Sequence, residues 1–507
     1  MVDGSLEAQL RVDPGFTVGP VRKELFGSFV EHLGRCVYGG IYEPGHPAAD
    51  GDGFRTDVMD LVGELGVSDI RYPGGNFVSG YRWEDGIGAP GQRPRRLDLA
   101  WHSLETNEFG LDEFARWARR TRTDPVMAVN LGTRGAQEAL DLLEYCNVSS
   151  GTRLSDQRRS NGAEAPYRIR TWCLGNEMDG PWQIGHRPPQ EYGALAARTA
   201  RAMRMIDPDL RLVVCGSSNS AMATFGTWES AVLAEAYDAV DAVSAHQYYA
   251  MEGGDLASFL ASGVDMDRMI ERLVAVIDAA GVARGSRRRL DIAFDEWNVW
   301  YQDRAESRVP EGDDWPVAPR LLEDRYTVAD AVVVGDLLIT LLRHADRVAS
   351  ANLAQLVNVI APIVAEPGGP AWRQTIFHPF AATSRAARGE VLRTVVRVPT
   401  IPTPRYGDVP AVDAVATWEE KTGALAVLLV NRSVDDEASV RVGLNAFGDR
   451  MPTAVSAVSV GGRDLDRTAS ADADTGRPWA NRSAQADGEG VAVALPPASW
   501  SLVELRM

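Results

Sequence analysis

Thr171-Trp172-Cys173-Leu174-Gly175-Asn176-Glu177-Met178-Asp179-Gly180-Pro181-Trp182 is the stretch on which the reading of the fold turns. Ile169 to Leu174 is β-branched, aromatic and apolar, the composition of a strand covered on both faces. Gly175 breaks the pattern and presents Asn176 and Glu177 side by side. A carboxylate directly after an apolar strand end is held rigidly and partly desolvated. Desolvation raises a carboxyl pKa, so such a group holds a proton near neutrality and can serve as a general acid. Taken alone, Glu177 is better read as a cap on the next turn. The rest of the chain decides against that.

Leu290-Asp291-Ile292-Ala293-Phe294-Asp295-Glu296-Trp297-Asn298-Val299-Trp300 has the same form: an apolar strand with a carboxylate at its end and aromatic neighbours. Two strand-end glutamates far apart in sequence can converge at one mouth of a barrel. Paired carboxylates flanking one bond are what glycoside hydrolysis requires, one protonating the leaving oxygen and the other attacking or activating water.

Between and around these stretches, strands alternate with helices. Strands are expected at Leu25 to His32, Val67 to Tyr72, Pro125 to Asn130, Leu210 to Cys215, Val240 to Tyr248 and Val348 to Val357. Helices are expected at 54–65, 111–121, 137–146, 190–206, 227–237, 256–280 (as one or two), 325–343 and 372–387. Eight such units predict a (β/α)8 barrel, the TIM-barrel class of α/β fold. No G-x-G-x-x-G follows a strand, which argues against an open dinucleotide-binding sheet. In a barrel the strand C-termini gather on one face. Glu31, Asn76, Glu177, His246, Tyr248, Glu296 and Gln355 all fall there by topology alone.

After residue 388 helical periodicity gives way to short β-rich runs separated by Gly, Asp and Pro turns, the pattern of an antiparallel β-sandwich. The alternating segment 5–22 is expected to join it. The organisation predicted is a catalytic barrel over 23–387 and a jelly-roll-like sandwich over 388–507 plus 1–22. The polar stretch 463–487 reads as a mobile loop.

The formal net charge of −18 argues against nucleic-acid or anionic-membrane partners, which would repel it. Cys36, Cys146, Cys173 and Cys215 form no CxxC pair, so free buried thiols are expected, with no zinc or redox motif. The N-terminus lacks a basic start followed by an apolar stretch, and no apolar run approaches a membrane span. A cytoplasmic location is the expectation.

These motifs together resemble glycoside hydrolase family 51, the α-L-arabinofuranosidases of the retaining (β/α)8 clan. The two glutamate segments carry the resemblance. Phe26-Gly27-Ser28-Phe29-Val30-Glu31-His32, Arg71-Tyr72-Pro73-Gly74-Gly75-Asn76-Phe77, Trp101 to Glu108, Ser244 to Tyr249 and Asn352 to Asn358 agree with it. It runs over the whole chain in the same domain order.

The resemblance implies Glu177 as acid/base and Glu296 as nucleophile, with Glu31, Gly75, Asn76, Trp101, Asn176, His246, Tyr248, Trp300 and Gln355 at the substrate. Asn176 would bond the sugar 2-OH, and Trp101 and Trp300 would form apolar walls. Arg71 would orient a carboxylate from behind. Tyr248 would donate to Glu296, or else be a core tyrosine. His246 would brace an acid, bond the sugar, or simply sit satisfied in the core.

The implied activity is exo-acting, retaining removal of terminal α-L-arabinofuranosyl residues from arabino- and arabinoxylo-oligosaccharides, with no metal and no other cofactor. A homo-oligomer, hexameric in many members, is implied as well. Two alternatives stay open at this point: an endo-β-glucanase or xylanase on the same scaffold, and a non-catalytic sugar-binding protein. The loop after the second strand, with Tyr81 and Trp83, is either a subsite rim, a surface loop or an oligomer contact. The linkage preference and the roles of loops 82–100 and 302–323 are not set by the sequence.

Overall fold

The computed structural model describes residues 6–448, 450 and 452–507. Residues 1–5, part of the segment expected to join the sandwich, lie outside the described residues.

Eight parallel strands close a barrel: β1 (Gly27–Phe29), β2 (Asp69–Tyr72), β3 (Asp124–Ala128), β4 (Thr171–Leu174), β5 (Arg211–Val214), β6 (Ala242–Tyr249), β7 (Asp291–Val299) and β8 (Val348–Leu353). They neighbour one another in chain order, and β8 closes on β1 through Asn352 beside Gly27 and Leu353 beside Ser28. Each helix follows its strand. Thr56–Leu65 buries Val58, Leu61, Val62 and Leu65, the face its period predicts. The segment 256–280 resolves into two helices, Leu256–Leu260 and Ser262–Ala283. The short helix Arg153–Ser160 has no apolar period strong enough to be read from sequence. The strands are shorter than expected, and at two of them this matters for the site: β1 stops at Phe29 and β8 at Leu353, leaving Glu31 and Gln355 on the turns just beyond.

Small side chains (Ala128, Cys173, Val213, Ala242 and Ala293) pack together inside the barrel. Barrel interiors are normally filled by bulky branched residues. Here the small ones leave room for the buried side chains of Arg71 and Asp295 above them.

The sandwich packs a seven-stranded sheet against a five-stranded one. The N-terminal strands do join it, one in each sheet. Thr17–Pro20 edges the larger sheet, and Leu6–Arg11 lies inside the smaller. The pairing of Leu6–Arg11 with Ala438–Gly443 is parallel, an exception in an otherwise antiparallel domain. The polar stretch 463–487 carries short strands at Trp479–Ala480 and Gln485–Asp487. Leu465 and Arg467 accept backbone hydrogen bonds from Ala329 and Val328, which ties the stretch to the barrel.

Helix Val328–Arg343 is apolar almost all round because it is covered almost all round, lying between barrel and sandwich. Gly335 admits the indole of Trp500: a Cβ there would stand 2.3 Å from its Cδ1. At the same junction the guanidinium of Arg432 bridges Asp336 and Asp413, each at 2.7 Å. Asp336 is fully buried. Arg432→Ala takes away the buried charge partner of that carboxylate and leaves it with the Gly263 N–H at 3.0 Å. It is expected to lower stability by about 3–5 kcal/mol, read as a lower urea midpoint at unchanged slope.

Candidate active site

The strand that decides the fold ends as its sequence suggests. β4 stops at Leu174, and Gly175 and Glu177 both take positive φ, at 99° and 44°. A non-glycine residue in the left-handed region is uncommon and is held by its surroundings. Here that conformation accompanies a Glu177 carboxylate on the wall of a cavity of about 450 Å³ at the C-terminal mouth of the barrel. Trp182 Nε1 donates to Glu177 Oε2 at 2.6 Å, and His246 Nδ1 stands 3.0 Å from Oε1. Burial raises the pKa of Glu177, the His246 contact partly offsets the rise, and the charge of Glu296 adds to it.

Glu296 arrives by a different device. Ser244 pairs with Ala293 but His246 pairs with Glu296, so β7 carries one extra residue against β6. Such a bulge re-aims side chains. It lets two consecutive residues, Asp295 and Glu296, both reach the barrel interior. Arg71 Nη1 donates to Glu296 Oε1 at 2.8 Å, and Tyr248 Oη donates to Oε2 at 2.9 Å. Both oxygens are therefore aimed. One carboxylate oxygen of Glu177, one of Glu296 and a ring nitrogen of His246 lie within 4.8 Å of one another.

That trio also has the donor set of a metal site. However, the anions Glu296, Asp295 and Glu177 outweigh burial and push the His246 pKa well above its ordinary value. A proton on that ring competes with any cation for its nitrogen.

The other residues singled out by sequence divide into two shells. Glu31, Gly75, Asn76, Trp101, Tyr248, Trp300 and Gln355 line the cavity with the two glutamates. Asn176 and His246 sit behind it, 1% and 2% exposed. Asn176 Oδ1 accepts from Arg71 Nη2 at 2.7 Å, and its Nδ2 faces Asn76 at 3.3 Å. Glu31 Oε1 accepts from Phe77 N and from Trp101 Nε1, each at 2.9 Å, and Oε2 from Gln355 Nε2 at 3.0 Å. Burial nonetheless pushes Glu31 up to about 8. Trp101 is thus a hydrogen-bonding wall rather than a purely apolar one. Trp300 meets Tyr248 edge-on at 5.2 Å.

Gly75 is glycine for lack of space. A Cβ there would stand 3.2 Å from Glu296 Oε1 and 3.4 Å from Glu31 Oε2. Gly75→Ala is expected to cut kcat/KM by about 10–200-fold, the range for one carbon too many in a fitted pocket, with the thermal midpoint little changed.

One expectation is corrected. Tyr81 and Trp83 do not form a rim. Both are buried, Tyr81 against Phe77 at 4.7 Å and Trp83 against Tyr145 at 5.3 Å. The mouth is instead flanked where the segment just after loop 82–100 meets loop 302–323. His102 stacks on Trp315 at 3.8 Å, and Leu104 N donates to Pro316 O at 3.0 Å. Gln302, Ser307 and Val309 then reach the cavity. Trp182, Ser218, Asn219 and these three carried no role in the sequence reading. No period or motif distinguishes a loop residue that folds inward.

Two carboxylates brought together at the C-terminal mouth of a (β/α)8 barrel, one of them held protonatable by burial, beside a walled pocket, define a glycoside hydrolase. Comparison with known proteins then gives the family. The model of the α-L-arabinofuranosidase 1 domain matches residues 61–262, and that of the α-L-arabinofuranosidase C-terminal domain matches 295–499.

An exo-α-(1→6)-L-arabinofuranosidase of Bifidobacterium longum is 54% identical over 99% of this chain and 97% of its own. An intracellular exo-α-(1→5)-L-arabinofuranosidase of Bacillus subtilis (strain 168) is 46% identical over 99% of both. The solved structure of a family 51 α-L-arabinofuranosidase from B. longum superposes with a TM-score of 0.94 at 48% identity, covering 99% of this chain and all of that one. The chain belongs to the family 51 α-L-arabinofuranosidases.

Proposed function

We propose that the protein is an exo-acting α-L-arabinofuranosidase that releases terminal non-reducing arabinofuranosyl residues from arabino- and arabinoxylo-oligosaccharides with retention of configuration. The observation that carries this is the Glu177–Glu296 pair, with carboxylate oxygens within 4.8 Å of one another. Retaining glycosidases hold their carboxyls about 5–5.5 Å apart, whereas inverting ones leave room for a water. A cavity of about 450 Å³ walled by Trp101, Trp182 and Trp300 suits one terminal sugar and its linkage oxygen better than the long cleft an endo-acting enzyme needs.

In this reading Glu177 protonates the glycosidic oxygen while Glu296 attacks the anomeric carbon. Arg71 and Tyr248 fix the attacking carboxylate in line. Once Glu296 is esterified its charge is gone, and with it one of the pushes on the Glu177 pKa. The proton Glu177 has just given away is then harder to recover. It becomes the base that activates water for the second displacement. Glu31, Gln355, Asn76 and Trp101 would hold the furanose hydroxyls.

The relatives' names differ in linkage, (1→6) against (1→5), so linkage is the finer question. A cytoplasmic location belongs to the same proposal. The B. subtilis relative is named intracellular, and among the described residues no helix is long and apolar enough to cross a membrane. Homo-oligomeric assembly does too, and light scattering would measure it.

Hydrolysis of an aryl α-L-arabinofuranoside, followed by NMR at early times, tests the reading. The α-anomer should form first. Initial release of the β-anomer would replace double displacement with inversion. No release, with loss of viscosity in a β-glucan or xylan, would move the protein to the endo-acting alternative.

A further inference from the structure

Asp295, next to the nucleophile in sequence, is absent from the mechanism above. It is 2% exposed and does not line the cavity. Its carboxylate lies 3.2 Å from Arg71 Nε and 3.3 Å from His246 Nε2, as ion pairs rather than aligned hydrogen bonds. Neither of those two buried nitrogens makes a hydrogen bond elsewhere among the described residues. Ser244 Oγ donates to Asp295 Oδ1 at 2.5 Å, and Cys173 Sγ donates to Oδ2 at 3.6 Å.

The two cations it holds lead in opposite directions. Arg71 goes on to Glu296 and Asn176. His246 goes on to Glu177 at 3.0 Å, with Glu296 Oε2 at 3.6 Å.

We propose that Asp295 is a positioning residue that couples the two catalytic carboxylates. It keeps Arg71 aimed at the nucleophile and keeps His246 a fixed imidazolium beside the acid/base through both displacements. This rests on the roles proposed for Glu177 and Glu296.

With Asp295 ionised at Nε2, the imidazolium does not surrender its proton when Glu177 loses its own, so the only proton that moves passes between Glu177 and the substrate or water. Burial opposes the charge of Asp295, but Arg71 and His246 hold its pKa down at about 2. The titratable groups facing this cluster are Arg71 from β2, Cys173 from β4 and Glu177 just beyond it, Cys215 just beyond β5, His246 from β6, and Glu296 beside it, with Tyr248 and Glu31 on the cavity side.

The test is Asp295→Asn, which keeps the shape and removes the charge. Loss of a nearby anion eases deprotonation of the Glu177–His246 pair, so the alkaline limb of kcat/KM against pH should move down by about one unit. kcat should fall by about 10²-fold with KM changed far less. An unmoved limb, or a loss confined to KM, overturns the proposal.

Histidine ¹⁵N NMR of the wild-type chain gives a second reading that does not depend on that variant folding. His246, assigned through His246→Gln, should remain an imidazolium at pH 8. A neutral ring there also overturns it. The state of that ring is measured without turnover. A failed arabinofuranosidase assay would therefore count against the proposed function and leave the Asp295–His246 coupling to be judged by NMR.

Discussion

Replacing Glu296 by alanine is expected to lower kcat on an aryl α-L-arabinofuranoside by about 10⁴-fold or more, the scale on which removal of a covalent nucleophile is felt. The other carboxylates described at the site are poorly suited to take over: Glu177 is the acid/base, and Asp295 does not line the cavity. Glu31 also stands on the cavity wall, but it accepts three hydrogen bonds and is pushed up to about 8. The fold should survive. Arg71 loses one anion but keeps Asp295 at 3.2 Å and Asn176 at 2.7 Å, so the buried guanidinium is not left alone. Added azide should restore turnover through the space vacated, giving a glycosyl azide of inverted configuration. Retention of more than a tenth of wild-type activity would remove Glu296 from its role.

Glu177→Ala should separate substrates by leaving group. A phenol of low pKa departs without a proton, so the first displacement on an activated aryl arabinofuranoside should stay near the wild-type rate. Arabino-oligosaccharides, whose leaving alcohol needs the proton, should lose about 10²–10⁴-fold. Glu177 is also the base of the second step, so the arabinosyl-enzyme should accumulate and the apparent KM should drop.

The pH dependence fixes the sign. Burial and Glu296 raise the pKa of Glu177, so the acid form is present below that raised value and lost as pH climbs through it. The alkaline fall of kcat/KM on oligosaccharides should therefore be absent from what remains in Glu177→Ala. Equal losses on both substrate types would assign the acid elsewhere.

Much of the architecture was written locally. Val58, Leu61, Val62 and Leu65 share one helical face whatever the rest of the chain does, and Ile169 to Leu174 can bury both faces only in a covered parallel sheet. Alternation of such segments leaves few topologies. Strand ends then gather on one face without any contact being known, which placed Glu31, Glu177 and Glu296 at one mouth.

Tertiary structure decided what passes between distant residues. Arg71 and Glu296 are 225 positions apart, and no period relates them. The extra residue in β7 turns Asp295 inward beside Glu296, where strict alternation would send the two to opposite faces. Tyr81 and Trp83 look like rim aromatics until packing against Phe77 and Tyr145 absorbs them. Of the alternatives open for His246, its Nδ1 at 3.0 Å from Glu177 fits the bracing of an acid, and the Oδ1 of Asn176 is taken by Arg71. Hydrophobic periodicity is a property of neighbours in sequence and survives in any context. The direction, charge and partner of a buried polar group depend on which other groups the closed barrel brings within about 3 Å of it.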